Sequence, residues 1–191
     1  MPRNKDFDYD EKLKTARDIF WKKGYNATTM NDLVDTMQIN RSSLYLAYGN
    51  KHDLFLKSLS NYIQKKDKQY TQAAKKSEEP LEAIRNVIYS VFESALQDNN
   101  CLFTNSVFEL ALTDKDVSEI LQKQTLKAVS LFDKLLKQAQ AEGSFATEKN
   151  TLALAHFLVS GLVSIYNTHI LFNDAKLTKQ TTEILMGTIR M

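Results

Sequence analysis

Apolar residues recur at intervals of three and four along most of the chain, and this spacing predicts amphipathic helices. The first predicted helix carries the apolar stripe Leu13, Ala16, Ile19 and Phe20. We expect Asp10 to cap its start and Gly24 to follow its end. The strict alternation typical of strands does not occur in the sequence. The pattern therefore predicts an all-α protein of about nine helices.

Two short helices follow the first one. Thr29 with Asp32 predicts a capping box at the start of a helix over 30–37, and Asn40 is the expected cap of a helix over 41–47. Helices joined by so short a break cross steeply, as in a helix-turn-helix. A fourth helix is expected to start at Asn50, which pairs with Asp53, and to continue to about residue 76.

The rest of the chain predicts further helices. A polar turn at 98–100 is expected before the second of them. Pro80 suits the first position of one, and others are expected over 102–112, 117–142, 152–172 and 177–190. The segment 152–172 is apolar on nearly every side, which predicts burial in a core or between subunits. The most apolar part of this segment is shorter than the roughly 20 residues that a helix needs to cross a bilayer, so we expect no membrane span.

Composition narrows the class of protein. Five glycines and two prolines in 191 residues argue against turn-rich sandwiches and barrels, and 43% hydrophobic with 25% charged residues is typical of a soluble globular protein. One cysteine and a polar N-terminus predict a cytoplasmic location. Residues 1–70 carry 13 basic and 9 acidic side chains, whereas the whole chain has a net charge of only +2. This imbalance is compatible with phosphate binding at one end of the chain.

Many linked features lie within residues 15–59. They are Ile19-Phe20, Gly24-Tyr25, Thr28-Thr29, Leu33, Ile39, Ser43-Leu44-Tyr45, Tyr48, Lys51 and Asp53-Leu54-Phe55. Together they resemble the DNA-binding domain of the TetR family of transcriptional regulators, although Gln38 stands where that family favours glycine. The resemblance implies a three-helix DNA-binding domain over 1–60 with a helix-turn-helix. It also implies a helical ligand-binding and dimerisation domain over 61–191, with a linking helix over about 51–76.

The chemistry of the helix over 41–47 agrees with this resemblance. Its outward donors, acceptors and apolar probe suit base edges in a major groove, with Leu44 as the buried anchor. The N-terminal ends of the neighbouring helices, at Thr28-Thr29 and at Lys51, offer N–H groups and a positive charge that favour phosphate groups. The expected DNA contacts are Thr28, Thr29, Asn40, Arg41, Ser42, Ser43, Tyr45, Leu46, Tyr48 and Lys51. Alternatively, Thr29, Asn40 and Asn50 act only as helix caps, and Tyr45 and Tyr48 are core aromatics.

The resemblance implies that a small apolar or amphipathic effector binds in the C-terminal domain. Candidate pocket residues are Tyr89, Phe92, Cys101, Phe103, Asn105, Phe108, Glu109, Phe132, His156 and Tyr166. Each of them also fits a role in core packing, and Cys101 is either a sensor or an inert thiol. The scattered histidines and single cysteine do not make a metal motif, and no cofactor is expected.

Small residues in the segment 152–172 leave a low ridge where another helix can approach. Paired with the last helix and its twofold mate, this segment would complete a four-helix bundle in a homodimer. The expected interface residues are Phe157, Ser160, Gly161, Ser164, Ile184 and Leu185. The alternative is a central helix within a monomer.

These observations favour a homodimeric, ligand-responsive repressor that binds a palindromic operator in double-stranded DNA and is released by its effector. The alternative is a helical carrier or sensor that does not bind DNA. An enzyme is not expected, since the sequence has no phosphate-binding loop, no Gly-x-Ser-x-Gly and no His-Glu-x-x-His.

Overall fold

The computed structural model describes residues 8–97 and 101–189. Within these ranges the chain forms nine α-helices and no strand, which confirms the all-α prediction. The helices are α1 Tyr9–Lys23, α2 Met30–Met37, α3 Arg41–Tyr48, α4 Lys51–Ala74, α5 Pro80–Gln97, α6 Leu102–Leu110, α7 Lys115–Ala141, α8 Thr151–Phe172 and α9 Ala175–Gly187. The turn expected at 98–100 lies outside the described residues.

Side-chain caps determine where most of the short helices begin. Thr29 and Asp32 form the expected capping box of α2, and the Asn40 carboxamide accepts the Ser43 N–H at 2.8 Å to cap α3. The cap expected at Asp10 is wrong: Asp8 caps α1 by accepting the Asp10 N–H at 2.9 Å. Helix α1 starts earlier than the apolar stripe because its first residue, a tyrosine, is held by stacking on a tyrosine of α3.

The first compact unit comprises the described residues up to Gln64 together with Leu102–Leu121. Its core is aromatic: the Phe20 ring meets Phe55 edge-on at 5.1 Å, and Tyr25 meets Phe55 at 4.9 Å. Helix α6 packs on α1 within this unit. The compact units therefore follow a different division from the expected domains, which placed all residues after 60 in the second domain.

The second compact unit comprises residues 65–97 and 101 with the described residues from Gln122 onward. Helix α8 packs on α5 and α9, and the buried side chains of α5 include Ile84, Val87 and Ile88. Gly161 lets α9 approach α8 closely, because a Cβ at this position would collide with the Leu185 side chain. The small residue predicted to admit another helix thus admits one from its own chain.

Part of α8 and α9 is apolar and exposed. We define the α8–α9 face by Phe157, Ser160 and Ser164 of α8 and Ile184 of α9, all of them exposed. Helix α8 is also the one helix among the described residues that is long and apolar enough to cross a membrane by length and composition alone. Helix α8 is therefore not buried on all sides by its own chain, and its burial between subunits stays a prediction.

Candidate nucleic-acid interface

Helix α3 presents a polar and partly apolar surface on the side opposite its buried residues, Leu44 and Tyr48. Leu44 is fully buried, whereas Arg41 and Ser42 are exposed. Tyr45 is 44% exposed and Leu46 is 87% exposed. A helix of eight residues that exposes large side chains in this way has outward donors and apolar groups available for the edges of bases.

The turn between α2 and α3 sets the direction of α3. Gln38 adopts the left-handed conformation with φ of 51°, and the cap N–H donates to the Val34 carbonyl. A residue with a side chain loses about 1 kcal/mol or more in this conformation. The tight turn between α2 and α3 forms although glutamine replaces glycine, because the Gln38 side chain is exposed and meets no obstacle in solvent.

Two residues expected to contact DNA have buried side chains. Tyr48 is fully buried, stacks on Tyr9 at 4.4 Å and donates its hydroxyl to the Tyr9 carbonyl at 2.8 Å. Burial also raises the pKa of Tyr48. Thr28 is fully buried and donates its hydroxyl to the Gly24 carbonyl at 2.6 Å. These contacts correct the expectation that either side chain reaches nucleic acid.

The other two phosphate candidates are accessible. Thr29 is exposed at the start of α2, where backbone N–H groups and the positive end of the helix dipole favour anions. Lys51 is half-buried, with its ammonium 4.4 Å from the centroid of the Tyr25 ring. Burial lowers the pKa of Lys51, and the nearby Glu109 carboxylate opposes this shift.

Glu109 belongs to the same surroundings, although the sequence placed it among the ligand candidates. One oxygen of its carboxylate accepts the Tyr25 N–H at 2.9 Å, and the other accepts the Asn26 N–H at 2.6 Å. The two ends of these contacts are separated by more than 80 residues, so no local pattern could have revealed them. Helix α6 thereby holds the loop between α1 and α2.

A second contact ties α4 to the start of α7. His52 Nε2 lies 2.8 Å from a carboxylate oxygen of Asp114, the residue whose other oxygen accepts the Val117 N–H. Burial raises the pKa of Asp114, but these hydrogen bonds outweigh it and hold the pKa below its usual value. With Asp116 these residues form the one group among the described residues whose spacing would admit a metal ion. Asp116 is exposed and the other two are already paired.

The structure does not collect the ten ligand candidates in one unit. Phe103, Asn105, Phe108 and Glu109 lie on α6 in the first unit, and Phe108 is 78% exposed. In the second unit Tyr89 and His156 are exposed on the surface. The candidates that are buried in the second unit are Phe92, Cys101, Phe132 and Tyr166.

Polar groups accompany this interior aromatic set. The Lys66 ammonium donates to the Tyr166 hydroxyl at 2.9 Å, and the Gln69 carboxamide donates to the Ser94 hydroxyl at 2.7 Å. Burial raises the pKa of Tyr70, and the neighbouring Cys101 thiol adds to the shift. The α4 members of this group were not predicted from the sequence, because their stretch is dominated by charged residues typical of a solvated helix face.

The residues expected at a dimer interface fall into two sets. Phe157 is 54% exposed and Ile184 is 74% exposed, and both stand on the α8–α9 face with the two exposed serines. Leu185 is buried, and its side chain lies against Gly161 of the same chain. These two residues pack α9 on α8 within one subunit, which corrects their expected place in an interface.

Two short helices joined by a tight turn, the second with an exposed polar side, are the arrangement of a helix-turn-helix protein, of the class that binds DNA. The family described as bacterial regulatory proteins, tetR family, matches residues 13–57. A second description, tetracyclin repressor-like C-terminal domain, matches residues 78–185. The chain belongs to the tetR family, and it is a DNA-binding transcriptional regulator.

Individual relatives are similar to this protein in sequence over most of the chain. The uncharacterized HTH-type transcriptional regulator YezE of Bacillus subtilis (strain 168) is 31% identical over 170 residues, covering 86% of this chain and 87% of YezE. The HTH-type transcriptional repressor ComR of Escherichia coli (strain K12) is 29% identical, covering 82% and 76%. A cysteine mutant of the TetR family regulator CifR, solved with a 26 bp operator DNA, has a TM-score of 0.87 at 20% identity, covering 98% and 99%. This last likeness shows the shared fold.

Proposed function

We propose that two copies of this protein bind a palindromic operator through their α3 helices, repress transcription, and release the DNA when a small molecule binds in the second unit. The observation that carries the proposal is the exposed surface of α3 over its buried anchor, Leu44. The proposed DNA contacts are Thr29, Asn40, Arg41, Ser42, Ser43, Tyr45, Leu46 and Lys51. The proposed activity is binding alone, in the cytoplasm, with no reaction catalysed.

The residues of α3 divide the work of recognition by their chemistry. The Arg41 guanidinium has the donor geometry that pairs with guanine, and the Ser42 hydroxyl can both donate and accept. Leu46 offers methyl groups to a thymine methyl, and Tyr45 combines an apolar ring with a hydroxyl. Arg41 lies 6.0 Å from the centroid of the Tyr45 ring, so the two side chains form one contiguous reading surface.

Phosphate contacts hold this surface in register. Thr29 marks the side where the first N–H groups of α2 face outward, while its own hydroxyl is used by Asp32, and Lys51 places a charged ammonium at the start of α4. Thr28 contributes by fixing the loop before α2 from inside, since its hydroxyl is already used by Gly24. These contacts give affinity without sequence preference.

The α8–α9 face supports the homodimer. Phe157 and Ile184 are large apolar side chains exposed next to small serines, an arrangement that lets two helix pairs meet closely. A twofold axis would present two α3 helices to major grooves about 34 Å apart on DNA. Two half-sites also compensate for the small positive charge of a single chain.

The interior of the second unit supports an amphipathic effector. Phe92, Phe132 and Tyr166 supply apolar surface, while Lys66 and Tyr70 supply polar groups. The match of residues 78–185 to a tetracyclin repressor-like C-terminal domain supports the same assignment. An effector that favours a state with wrongly spaced α3 helices would lower DNA affinity about 5- to 150-fold, for a coupling of about 1–3 kcal/mol.

Substitution of Tyr45 tests the proposed interface. The duplex is first selected from a random-sequence pool by the wild-type protein. Tyr45→Ala should weaken binding to it by about tenfold, since one good base contact contributes about 1–3 kcal/mol. Tyr89→Ala is the matched control, because Tyr89 is 41% exposed in the second unit against 44% for Tyr45.

Fluorescence anisotropy over a range of salt concentrations measures the affinity of the wild type and of both variants for the selected duplex. Equal affinities for Tyr45→Ala and wild type would contradict the role of α3. A wild-type protein without salt-dependent binding to any duplex at low ionic strength would instead favour the carrier without DNA binding.

A further inference from the structure

The carboxylate of Glu109 is used completely by the backbone of another segment. Its two oxygens accept the N–H groups of two consecutive residues, Tyr25 at 2.9 Å and Asn26 at 2.6 Å. Hydrogen bonds to an ionised acceptor are shorter and stronger than neutral ones. Both residues lie in the turn between α1 and α2, where the N–H groups have no helical partner of their own.

The glycine before this turn is shaped for the contact. A Cβ on Gly24 would lie 2.9 Å from a Glu109 oxygen, and Gly24 has a φ of 78°. Glycine is therefore required both for the backbone conformation and for the approach of the carboxylate. The Gly24 carbonyl in turn accepts the Thr28 hydroxyl, and Thr29 caps α2 directly afterwards. The contacts run without a gap from Glu109 to the start of α2.

The charge of Glu109 is in an unfavourable place for a surface that binds phosphate. The same carboxylate acts electrostatically on Lys51, which is a proposed phosphate contact. Coulomb repulsion alone would make a negative group here weaken the binding of DNA. A carboxylate at this position therefore has to contribute through the geometry that it imposes.

We propose that Glu109 is a positioning residue for DNA binding: its carboxylate holds the backbone of Tyr25 and Asn26 so that the start of α2 faces a phosphate. This inference rests on the proposed function, because it assumes that Thr29 and the first turn of α2 contact DNA. It gives α6 a direct role in the DNA-binding competence of the first unit.

The sign of one measurement separates positioning from simple repulsion. Glu109→Gln in the full-length protein removes the charge and leaves one N–H facing an amide NH₂, so one of the two hydrogen bonds is lost. We expect affinity for the selected duplex to fall about tenfold. Repulsion alone predicts tighter binding. Glu119→Gln is the matched control, since Glu119 lies in the same unit, is exposed and forms an ion pair with the exposed Lys115 at 3.7 Å.

A second variant covers the case in which Glu109→Gln does not fold. Glu109→Asp keeps the charge but is one carbon shorter, so it cannot reach both N–H groups, and its affinity should also fall. In ¹⁵N spectra of each folded variant, the amide signals of Tyr25 and Asn26 should shift upfield and lose exchange protection, while the melting temperature changes little. A merely structural role would lower the melting temperature and leave the affinity of the folded fraction unchanged.

Failure of this inference and failure of the proposed function have different signatures. If Tyr45→Ala and Lys51→Glu weaken binding but both Glu109 variants bind as well as or better than wild type, the positioning role is overturned and the interface stands. If none of these variants affects binding, the interface itself is overturned, and the positioning role falls with it.

Discussion

Replacement of Ile184 by alanine tests whether the α8–α9 face joins two copies of the chain. Ile184 is 74% exposed in the single subunit, so most of its side chain is available for burial in the proposed dimer. The carbons removed by the substitution are worth about 2.4 kcal/mol when fully buried, at about 0.8 kcal/mol per carbon. About three quarters of this amount, or roughly 1.8 kcal/mol, belongs to the association step.

Because the dimer is twofold symmetric, the substitution removes these carbons from both subunits of the interface. The total loss is then about 3.5 kcal/mol, which raises the dissociation constant of the dimer by two to three orders of magnitude, roughly. Sedimentation equilibrium over a wide range of protein concentrations measures this constant directly. Leu126→Ala is the control, because Leu126 is 60% exposed on α7, outside the α8–α9 face.

The result that refutes this reasoning is a dissociation constant that changes no more for Ile184→Ala than for Leu126→Ala. A wild-type protein that remains monomeric at all concentrations would refute it as well. In either case the apolar face on α8 and α9 would need another occupant.

Two further predictions concern packing and pH. Gly161→Ala should destabilise the fold by about 1–3 kcal/mol through overpacking against Leu185. Adding Leu185→Ala should recover part of this loss in denaturant unfolding, and strictly additive losses would contradict the contact. Hydrogen bonds from Lys23 and Thr29 lower the pKa of Asp32 from 3.8 to about 2, so its stabilising effect is complete above the higher value and disappears as the pH falls through the lower one. The stability advantage of wild type over Asp32→Asn should therefore shrink between about pH 4 and pH 2, and a constant difference would argue against the capping box.

The elements that local chemistry determines were predictable from the sequence. Thr29 with Asp32 and Asn40 with Ser43 mark the starts of α2 and α3 because a cap and its N–H partner lie three residues apart. The start of α1 was misplaced because Tyr9 is held by Tyr48, a contact across 39 residues. Tertiary stacking thus extends a helix beyond its apolar stripe.

The site was predictable only in part, for the same physical reason. The outward residues of α3 follow from helical spacing around Leu44, which is buried near the centre of the helix with Tyr48 one turn later. The role of Glu109 depends on contacts with a turn more than 80 residues away, and no spacing rule reports such a contact. Apolarity around α8 predicted burial but could not separate the side that packs on α9 from the side left exposed.

Helix continuity limits how an effector can act on DNA binding. Helix α4 has 24 residues, about 36 Å at 1.5 Å per residue, and begins with the proposed phosphate contact Lys51 in the first unit. Its later residues Lys66, Gln69 and Tyr70 are partly buried in the second unit, where Lys66 donates to the Tyr166 hydroxyl and Gln69 to the Ser94 hydroxyl. An effector shifts the equilibrium only by its different affinity for the two states. Effector contacts with these α4 residues would therefore act on the same helix that carries Lys51.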